Sequence, residues 1–229
     1  MLSPTVEKSS ASQAACEARP SDSRATPVVF VIEDDVSVRE SLELLIRGAG
    51  WEPRIFASAQ EFLSQPRILV PCCMVLDVHL PDVNGLDLQK LVADRFELPV
   101  IFLTAYGDVR LSVKAMKAGA MEFLIKPFPC DALLNAIRQA LDCSQAALIQ
   151  DAEKRILRDR YATLSRREQE VMSLVASGWL NKQVGGMLGI SEITVKAHRG
   201  RVMRKMNANS FVGLINIAGK LGVVSAATD

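Results

Sequence analysis

The sequence predicts two units in tandem: a doubly wound α/β domain with a five-stranded parallel sheet, and a small all-α domain that contains a helix-turn-helix. In the first half of the chain, short apolar runs recur about every 20 to 25 residues and alternate with segments of helical periodicity, which is the pattern of repeated β-α units. After Asp142 the strand pattern stops, and apolar residues return only at helical spacing. The 229 residues are enough for two such domains, each with its own core.

The predicted strands are short, uninterrupted and partly β-branched, as expected of strands buried on both faces of a parallel sheet. They are Val28 to Ile32, Arg54 to Phe56, Cys72 to Leu76, Pro99 to Leu103 and Met121 to Ile125. Four amphipathic segments between or after them, around Leu42, Leu88, Val113 and Ile137, predict helices. Asp131 is the expected N-cap of the last one. These elements assign residues 27–142 to the α/β domain.

Composition predicts the remaining boundaries. Residues 1–26 are rich in Ser, Ala and Pro and have no apolar core of the kind found in a secretory signal, so we expect a flexible N-terminal extension. Residues 143–161 contain no Gly or Pro and carry good helix formers, which predicts a helical linker. The all-α domain is expected over residues 162–224, followed by a short tail at 225–229.

Several classes of protein are disfavoured by composition. The longest uncharged apolar stretch, Ile68 to Leu76, is well short of the roughly 20 residues that span a bilayer, so we expect no membrane contact and a cytoplasmic location. The five cysteines are odd in number and form no C-x-x-C pair. This argues against a disulfide framework and a zinc site and favours reduced cysteines that act as small hydrophobic residues.

Charge is divided unequally between the two predicted domains. Residues 27–142 hold 11 Lys and Arg against 16 Asp and Glu, whereas residues 161–229 hold 9 against 4. A basic helical domain is a candidate for nucleic-acid binding. The opposite charges also predict a weak attraction between the halves that covers part of the helix-turn-helix.

Polar residues follow four of the apolar strands, at the edge where parallel sheets bind ligands. They are Glu33, Asp34 and Asp35 after the first strand, Asp77 after the third, Thr104 after the fourth and Lys126 after the fifth. Carboxylates at this edge can bind a divalent cation, and one of them can act as a nucleophile toward a phosphoryl group. Lys126 then supplies a positive charge and Thr104 a hydroxyl donor for the phosphoryl oxygens.

The same residues resemble a known family. The motifs I-E-D-D, L-D-V-H-L-P-D-V-N-G-L-D-L, F-L-T-A and F-L-I-K-P-F resemble the flavodoxin-like receiver domain of bacterial two-component response regulators. The resemblance implies that Asp77 is the phosphoacceptor and that a sensor histidine kinase is the donor. It further implies that Mg²⁺ is bound by Glu33, Asp34, Asp77 and the backbone carbonyl of His79.

The resemblance also implies a set of switch residues. Thr104 and Lys126 would sense the phosphoryl group, Phe123 would be the aromatic switch residue, and the peptide bond between Lys126 and Pro127 would be cis. Two positions depart from the usual pattern: Glu33 stands where Asp is common, and Phe123 where Tyr is common.

The second domain contains the pattern of a helix-turn-helix. Ser165 and Glu168 have the spacing of a capping box, and segments 181–188 and 191–206 read as two helices joined by a turn at Gly189. The second helix carries the cations Lys196, Arg199, Arg201, Arg204 and Lys205, while Ile193, Val202 and Met206 are expected to pack inward. Gly185 and Gly186 are each expected to cost about 1 kcal/mol of stability relative to Ala.

This domain resembles the LuxR-type helix-turn-helix, and with the first domain it resembles the FixJ/NarL class of response regulators. The matching motifs are L-S-R-R-E, N-K-Q-V, L-G-I-S-E-I-T-V-K-A-H and R-K-M. The resemblance implies that Lys196, Ala197 and the position of Gly200 face the bases. It places Thr194, His198 and Arg199 near the DNA backbone, and Arg201, Arg204 and Lys205 are the further cations expected to neutralise phosphates.

We therefore interpret the chain as a phosphorylation-controlled transcription regulator and not as an enzyme. Its expected partners are a sensor histidine kinase, promoter DNA bound by a homodimer that forms on phosphorylation, and RNA polymerase. Two alternatives stay open. The first is a phosphatase that uses Asp77 as its nucleophile, which is disfavoured because such an enzyme needs a general acid two residues later and His79 stands there. The second is a DNA-binding protein whose α/β half is an unphosphorylated dimerisation module, which the complete set of acids, Thr104 and Lys126 disfavours.

Overall fold

The computed structural model describes residues 26–96, 98–105 and 109–223. The predicted tail at 225–229 and, apart from Thr26, the predicted N-terminal extension lie outside the described residues.

The α/β domain contains a five-stranded parallel sheet in the order β2-β1-β3-β4-β5. The strands are β1 (Val28–Ile32), β2 (Glu52–Phe56), β3 (Cys72–Asp77), β4 (Val100–Thr104) and β5 (Glu122–Ile125). This confirms the predicted fold class. Strand β2 begins two residues earlier than the sequence indicates, because Glu52 pairs with Val28 of β1 although it is exposed.

Helices flank the sheet on both faces. They are α1 (Val36–Gly48), α2 (Ala59–Leu63), α3 (Gly85–Phe96), α4 (Val109–Lys117) and α5 (Cys130–Ala162). The sequence did not predict α2, whose five residues are too short to show a helical period. The prediction that Asp131 is an N-cap was wrong: Pro129 occupies that position, and Asp131 lies in the first turn of α5.

Alternate side chains along the strands fill two separate cores. Phe30, Leu76 and Phe102 pack with the helices α2, α3 and α4 on one face. Val31 and Cys73 pack with α1 and α5 on the other face. Because the Cys73 side chain is fully enclosed, burial raises the pKa of its thiol, as expected of a cysteine that acts as a small hydrophobic residue.

Helix α5 continues without a break from the sheet to the second domain. Its first part buries Leu133, Ile137 and Leu141 against the sheet. The remainder includes residues 143–161, and there Glu153 forms an ion pair of 3.1 Å with Lys220 of the second domain. Within the described part of the chain, no helix is long and apolar enough to cross a membrane.

The second domain consists of α6 (Arg166–Ala176), α7 (Asn181–Leu188), α8 (Glu192–Lys205) and α9 (Phe211–Leu221). The predicted capping box at Ser165 and Glu168 is present at the start of α6. Gly189 ends α7 with φ of 65°, a left-handed conformation that favours glycine, and Ser191 caps α8 three residues from Thr194. Helices α7 and α8 form the predicted helix-turn-helix.

Two details of this domain correct the sequence interpretation. Ile193 does not pack inward: it is 79% exposed, and Val195 is the residue buried beneath the first turn of α8. A Cβ atom on Gly185 would approach the carbonyl oxygen of Ile190 to 2.7 Å, whereas one on Gly186 would meet no atom within 4 Å. Glycine at 185 therefore allows close packing of the turn, so the predicted gain from Ala applies only to Gly186.

Candidate functional sites

Three carboxylates meet at the carboxyl edge of the sheet. Glu33 directly follows β1 and Asp77 ends β3, and these strands pair in register through Ile32 and Leu76. One carboxylate oxygen from each of Glu33, Asp34 and Asp77 lies within 4.8 Å of the other two. Glu33 and Asp77 are buried, whereas Asp34 is exposed. The cluster therefore has a closed inner side and one side open to solvent.

Lys126 reaches this cluster from the end of β5. Its Nζ atom donates hydrogen bonds to Asp77 Oδ2 at 2.7 Å and to Glu33 Oε2 at 2.6 Å. The backbone N–H of Lys126 donates to the Thr104 carbonyl at 2.7 Å, and the peptide bond to Pro127 is cis, as the resemblance implied. The ammonium group thus bridges carboxylates that follow two different strands.

Burial and close charges shift the pKa values of this group. Burial raises the pKa of Glu33, and the neighbouring Asp77 acts in the same direction, against the hydrogen bond from Lys126. Burial alone would lower the pKa of Lys126, but its hydrogen bonds to Asp77 and Glu33 outweigh this and raise it. The lysine therefore stays charged, and the carboxylates favour any further cation that offsets their repulsion.

The other predicted residues, Thr104, His79 and Phe123, lie on or next to the strands that carry this cluster. Thr104 is fully buried at the end of β4, in the strand next to Asp77. The backbone N–H of His79 donates to Asp77 Oδ1 at 2.9 Å, which orients that carboxylate. Phe123 is half-buried on β5, with its ring centroid 6.1 Å from that of Phe102. The side chain of Phe123 is therefore part of the core packing at the edge strand.

Asp35, in the loop after β1, and Arg39, in the first turn of α1, have roles that the sequence did not show. Asp35 is the N-cap of α1, and its side chain accepts hydrogen bonds from the backbone N–H groups of Ser37 and Val38. Arg39 donates from Nη1 to the carbonyl oxygens of Glu33 at 2.8 Å and Asp34 at 2.7 Å. Nothing in the sequence distinguishes Arg39 from a solvated arginine. The structure shows that it holds the backbone from which both carboxylates project.

The chemistry of the cluster matches a small hard cation. Carboxylate oxygens are the ligands that Mg²⁺ prefers in proteins, and one or two of them with water in the remaining positions make a common site. In the described part of the chain this is the only group of three Asp, Glu, His or Cys side chains close enough to share an ion. The arrangement can place a cation beside the Asp77 carboxylate while Lys126 contacts its other side.

Helix α8 presents a basic surface away from the domain core. Its buried residues are Val195 and Val202, and Met206, the residue that caps its C-terminus, is buried on the same side. At 100° per residue, the line directly opposite consists of Ile193, Ala197, Gly200 and Arg204, all exposed. Lys196 lies on one side of this line and Arg201 on the other, and both are exposed. This outer line of α8 is the surface available to a groove of nucleic acid.

Two of the remaining predicted DNA contacts, Arg199 and Thr194, are held by neighbouring residues. Arg199 lies 4.4 Å from the ring centroid of Phe211, and its Nη1 atom donates to Asn181 Oδ1 at 3.4 Å. The Thr194 hydroxyl lies 2.8 Å from that of Ser191, at the start of the helix. His198 is half-buried, and its Nδ1 atom has no hydrogen-bond partner among the described residues.

Lys205 departs from the predicted set. Its Nζ atom donates to Glu168 Oε2 at 2.7 Å and to the Thr163 carbonyl at 2.9 Å, and Glu168 is buried. Moving the ammonium to a phosphate would leave a buried carboxylate without its partner, which is costly. We therefore remove Lys205 from the candidate DNA contacts and assign it to the junction of α6 and α8.

Both domains match known families. Residues 29–138 match the response regulator receiver domain, and residues 162–218 match the bacterial regulatory proteins of the luxR family. Nodulation protein W of Bradyrhizobium diazoefficiens is 44% identical over 205 residues, covering 88% of this chain and 89% of that protein. The chain belongs to the two-component response regulators. Its combination of domains makes it a transcription regulator with a LuxR-type DNA-binding domain.

Other relatives of this response regulator share both domains. The transcriptional regulatory protein FixJ of B. diazoefficiens is 37% identical over 198 residues, covering 86% of this chain and 97% of that protein. The solved structure of the response regulator StyR matches with a TM-score of 0.73 at 43% identity, covering 86% of this chain and 100% of that one. These matches confirm the predicted family, fold class and general function.

Proposed function

We propose that Asp77 is the phosphoacceptor of this response regulator, that a sensor histidine kinase is the donor, and that Mg²⁺ is bound beside it. In this proposal phosphorylation favours a homodimer, which binds promoter DNA in the cytoplasm through α8 and acts on RNA polymerase. The chain itself is then a regulator without a further enzymatic activity.

The observation that carries the proposal is the position of the Asp77 carboxylate. Its Oδ2 atom contacts the Lys126 ammonium, and an oxygen of the same group lies within 4.8 Å of carboxylate oxygens of Glu33 and Asp34. In the proposed step, an oxygen of Asp77 forms a bond to phosphorus while the phosphorus–nitrogen bond of a phosphohistidine breaks, and the released imidazole takes up a proton. The new phosphoryl oxygens increase the negative charge at a site that already holds three carboxylates.

In this proposal Mg²⁺ and Lys126 both offset the negative charge of the phosphoryl oxygens. Glu33, Asp34 and Asp77 would hold the ion, with the carbonyl of His79 as a further predicted ligand, and the ion supplies positive charge to the phosphoryl oxygens. Lys126 stabilises the same charge from the opposite side, and the Thr104 hydroxyl is placed at the neighbouring strand end. Phe123 is the proposed residue through which this change reaches the outer face of β5.

Exposed apolar residues support the proposed homodimer. The face of α4 away from the sheet exposes Val109, Val113 and Met116, and Ile125 at the end of β5 is 49% exposed. Val109, Val113 and Met116 have the spacing of one helix face, and exposed apolar faces are typical of protein–protein contacts. In contrast, the exposure of Ile193 and Lys196 means that α8 is not covered in this structure, contrary to the expectation from the charge split. We therefore favour association of two receiver domains, and not the uncovering of α8, as the consequence of phosphorylation.

The domain boundaries belong to the same proposal. We assign residues 27–142 to the receiver domain, residues 143–161 to the linker and residues 162–224 to the DNA-binding domain. Because α5 runs continuously from Cys130 to Ala162, a change in how the receivers associate reorients the DNA-binding domains instead of being absorbed by a flexible connection.

The first test is the intact mass of the protein after incubation with acetyl phosphate and Mg²⁺. We expect one phosphoryl adduct on the wild type, none on Asp77→Asn, and a normal adduct on the control Asp87→Asn, since Asp87 is an exposed carboxylate paired with Lys90. An adduct of equal yield on Asp77→Asn would contradict the assignment. Multiple turnovers of acetyl phosphate without an adduct would favour the phosphatase alternative.

The second test is sedimentation of the full chain with and without acetyl phosphate. We expect the phosphorylated wild type to dimerise and Val113→Glu to accept the phosphoryl group but stay monomeric. The control is Leu44→Glu, which changes another exposed apolar residue (73% exposed) on α1, outside the proposed interface. This variant should dimerise as the wild type does. A wild type that is dimeric with or without phosphoryl transfer would favour the unphosphorylated dimerisation module.

A further inference from the structure

The recognition surface of α8 is mostly apolar along its outermost line. Ile193 has the largest exposed fraction, 79%, of the large apolar residues in the described part of the chain. Ala197 follows one turn later on the same line and Gly200 one further turn on. The core is already filled beneath this turn by Val195, which is fully buried, so Ile193 is not needed for packing within the domain.

Cations border this apolar line on both sides. Lys196 and Arg201 flank it, and Arg204 ends it. Glu192, the acidic residue of α8, pairs with Lys196 at 3.0 Å, and both side chains are exposed. A partner that fits this surface has negative charge at its borders and apolar groups at its centre. The major groove of duplex DNA has this distribution, because phosphates line its rims and thymine methyl groups lie on its floor.

The side chains of this outer line exclude recognition of bases by hydrogen bonds and favour recognition by apolar contact. Ile193, Ala197 and Gly200 have no side-chain donor or acceptor, so they cannot distinguish bases by hydrogen bonds. The 5-methyl group of thymine is the apolar group at the major-groove edge of a base pair, and apolar side chains recognise it by direct contact. Gly200 allows the helix backbone to approach the base edges closely.

Resting on the proposed role of α8 in DNA binding, we infer that Ile193, together with Ala197, determines sequence specificity by contacting thymine methyl groups. Ile193 is the second residue of α8, and the N-terminal residues of a recognition helix are those that reach base edges. Each half-site of the target therefore contains a thymine that Ile193 contacts, and Lys196 contributes a hydrogen-bonding contact beside it.

The test begins with a pool of DNA duplexes with a random central segment, from which the phosphorylated full chain selects its preferred sequence. In the selected duplex each thymine is then replaced singly by uracil, which lacks only the methyl group. We expect one uracil per half-site to weaken binding of the wild type about 3- to 5-fold, the effect of removing one buried methyl contact. Ile193→Ser binds the thymine duplex more weakly and does not respond to that uracil.

Two further variants separate this contact from general effects. Ile193→Val keeps the branched apolar side chain and retains the response to uracil, whereas Val212→Ser removes a 65% exposed apolar residue of α9 and leaves binding unchanged. If the wild type binds uracil and thymine duplexes equally, or if Ile193→Ser responds to uracil as the wild type does, the inference is wrong although DNA binding by α8 stands. If no sequence is enriched from the pool, the proposed function itself fails.

Discussion

The ammonium group of Lys126 lies 2.7 Å from the Asp77 carboxylate, although the two residues are 49 positions apart in the chain. The same ammonium contacts Glu33 at 2.6 Å. One cation thus neutralises part of a buried acidic cluster before any metal ion is bound. This relationship links the stability of the receiver domain to its chemistry.

Replacing Lys126 by Met is expected to destabilise the receiver domain and make it depend on Mg²⁺. The carboxylates of Glu33 and Asp77 are buried, and without their partner they repel one another, which we expect to cost about 1 to 3 kcal/mol. Urea unfolding followed by Trp51 fluorescence, in a Trp179→Phe background, measures the receiver domain separately because these are the two tryptophans of the chain. Mg²⁺ should recover more stability in the variant than in the wild type.

The matched control for that change is Lys90→Met, which removes an exposed pair with Asp87. Exposed pairs contribute little, so we expect a change below about 0.5 kcal/mol. A Lys126→Met protein as stable as this control in the presence of a chelator would show that the ammonium is not needed to offset the carboxylates.

Arg39→Ala is expected to weaken Mg²⁺ binding without removing any ligand. Arg39 donates to the carbonyl oxygens of Glu33 and Asp34, so it positions the backbone that carries two of the proposed ligands. Loss of such an indirect support lowers metal affinity by about 10- to 100-fold. Calorimetric titration with MgCl₂ measures the affinity. Arg47→Ala, which removes an exposed pair with Glu43, should titrate as the wild type does.

The pair of Glu168 and Lys205 predicts a pH dependence of the DNA-binding domain. The hydrogen bond from Lys205, followed by that from the Ser165 backbone, lowers the pKa of Glu168 below its ordinary value of 4.5. The folded form therefore holds the ionised carboxylate more strongly than the unfolded form does. This stabilisation is present above pH 4.5 and is lost as the pH falls through the lower pKa of the folded state.

Urea unfolding followed by Trp179 fluorescence, in a Trp51→Phe background, measures this effect. Glu168→Gln should lower the free energy of unfolding by about 1 to 3 kcal/mol at neutral pH, and the difference from the wild type should shrink below pH 4.5. The control is Glu170→Gln, which removes two ion pairs, with Arg166 and Arg167, that are both more exposed than the pair of Glu168 and Lys205. A difference that stays constant across this range would mean that ionisation of Glu168 does not contribute.

The two adjacent glycines of α7 should respond differently to alanine. Gly186→Ala adds a methyl group in open space and should raise the free energy of unfolding by about 0.5 to 1 kcal/mol. Gly185→Ala places a Cβ atom 2.7 Å from the Ile190 carbonyl oxygen, so the turn must shift and the gain is lost. The same Trp179 measurement decides between these outcomes. Equal gains in both variants would show that the turn has room for a side chain at 185.

Most of the fold and the acidic site could be predicted from the sequence. Buried parallel strands appear as continuous apolar runs, and the carboxyl ends of such strands meet at one edge. The residues that follow these runs, Glu33, Asp77, Thr104 and Lys126, could therefore be grouped without coordinates. The short α2 and the true N-cap of α5 could not, because five residues show no period and Pro129 offers no capping side chain.

By itself, the sequence determined the order of elements and which strand ends carry charge, since both follow from local patterns of polarity. Only the tertiary structure decided the partners of long or ambiguous side chains. Lys205 forms an ion pair with a carboxylate 37 residues away, and Arg39 donates hydrogen bonds to backbone carbonyls. The side chain of Ile193 is exposed and does not pack into the domain core. Helical periodicity restricts a residue to a face of its helix, but which face is buried depends on how the neighbouring helices pack against it.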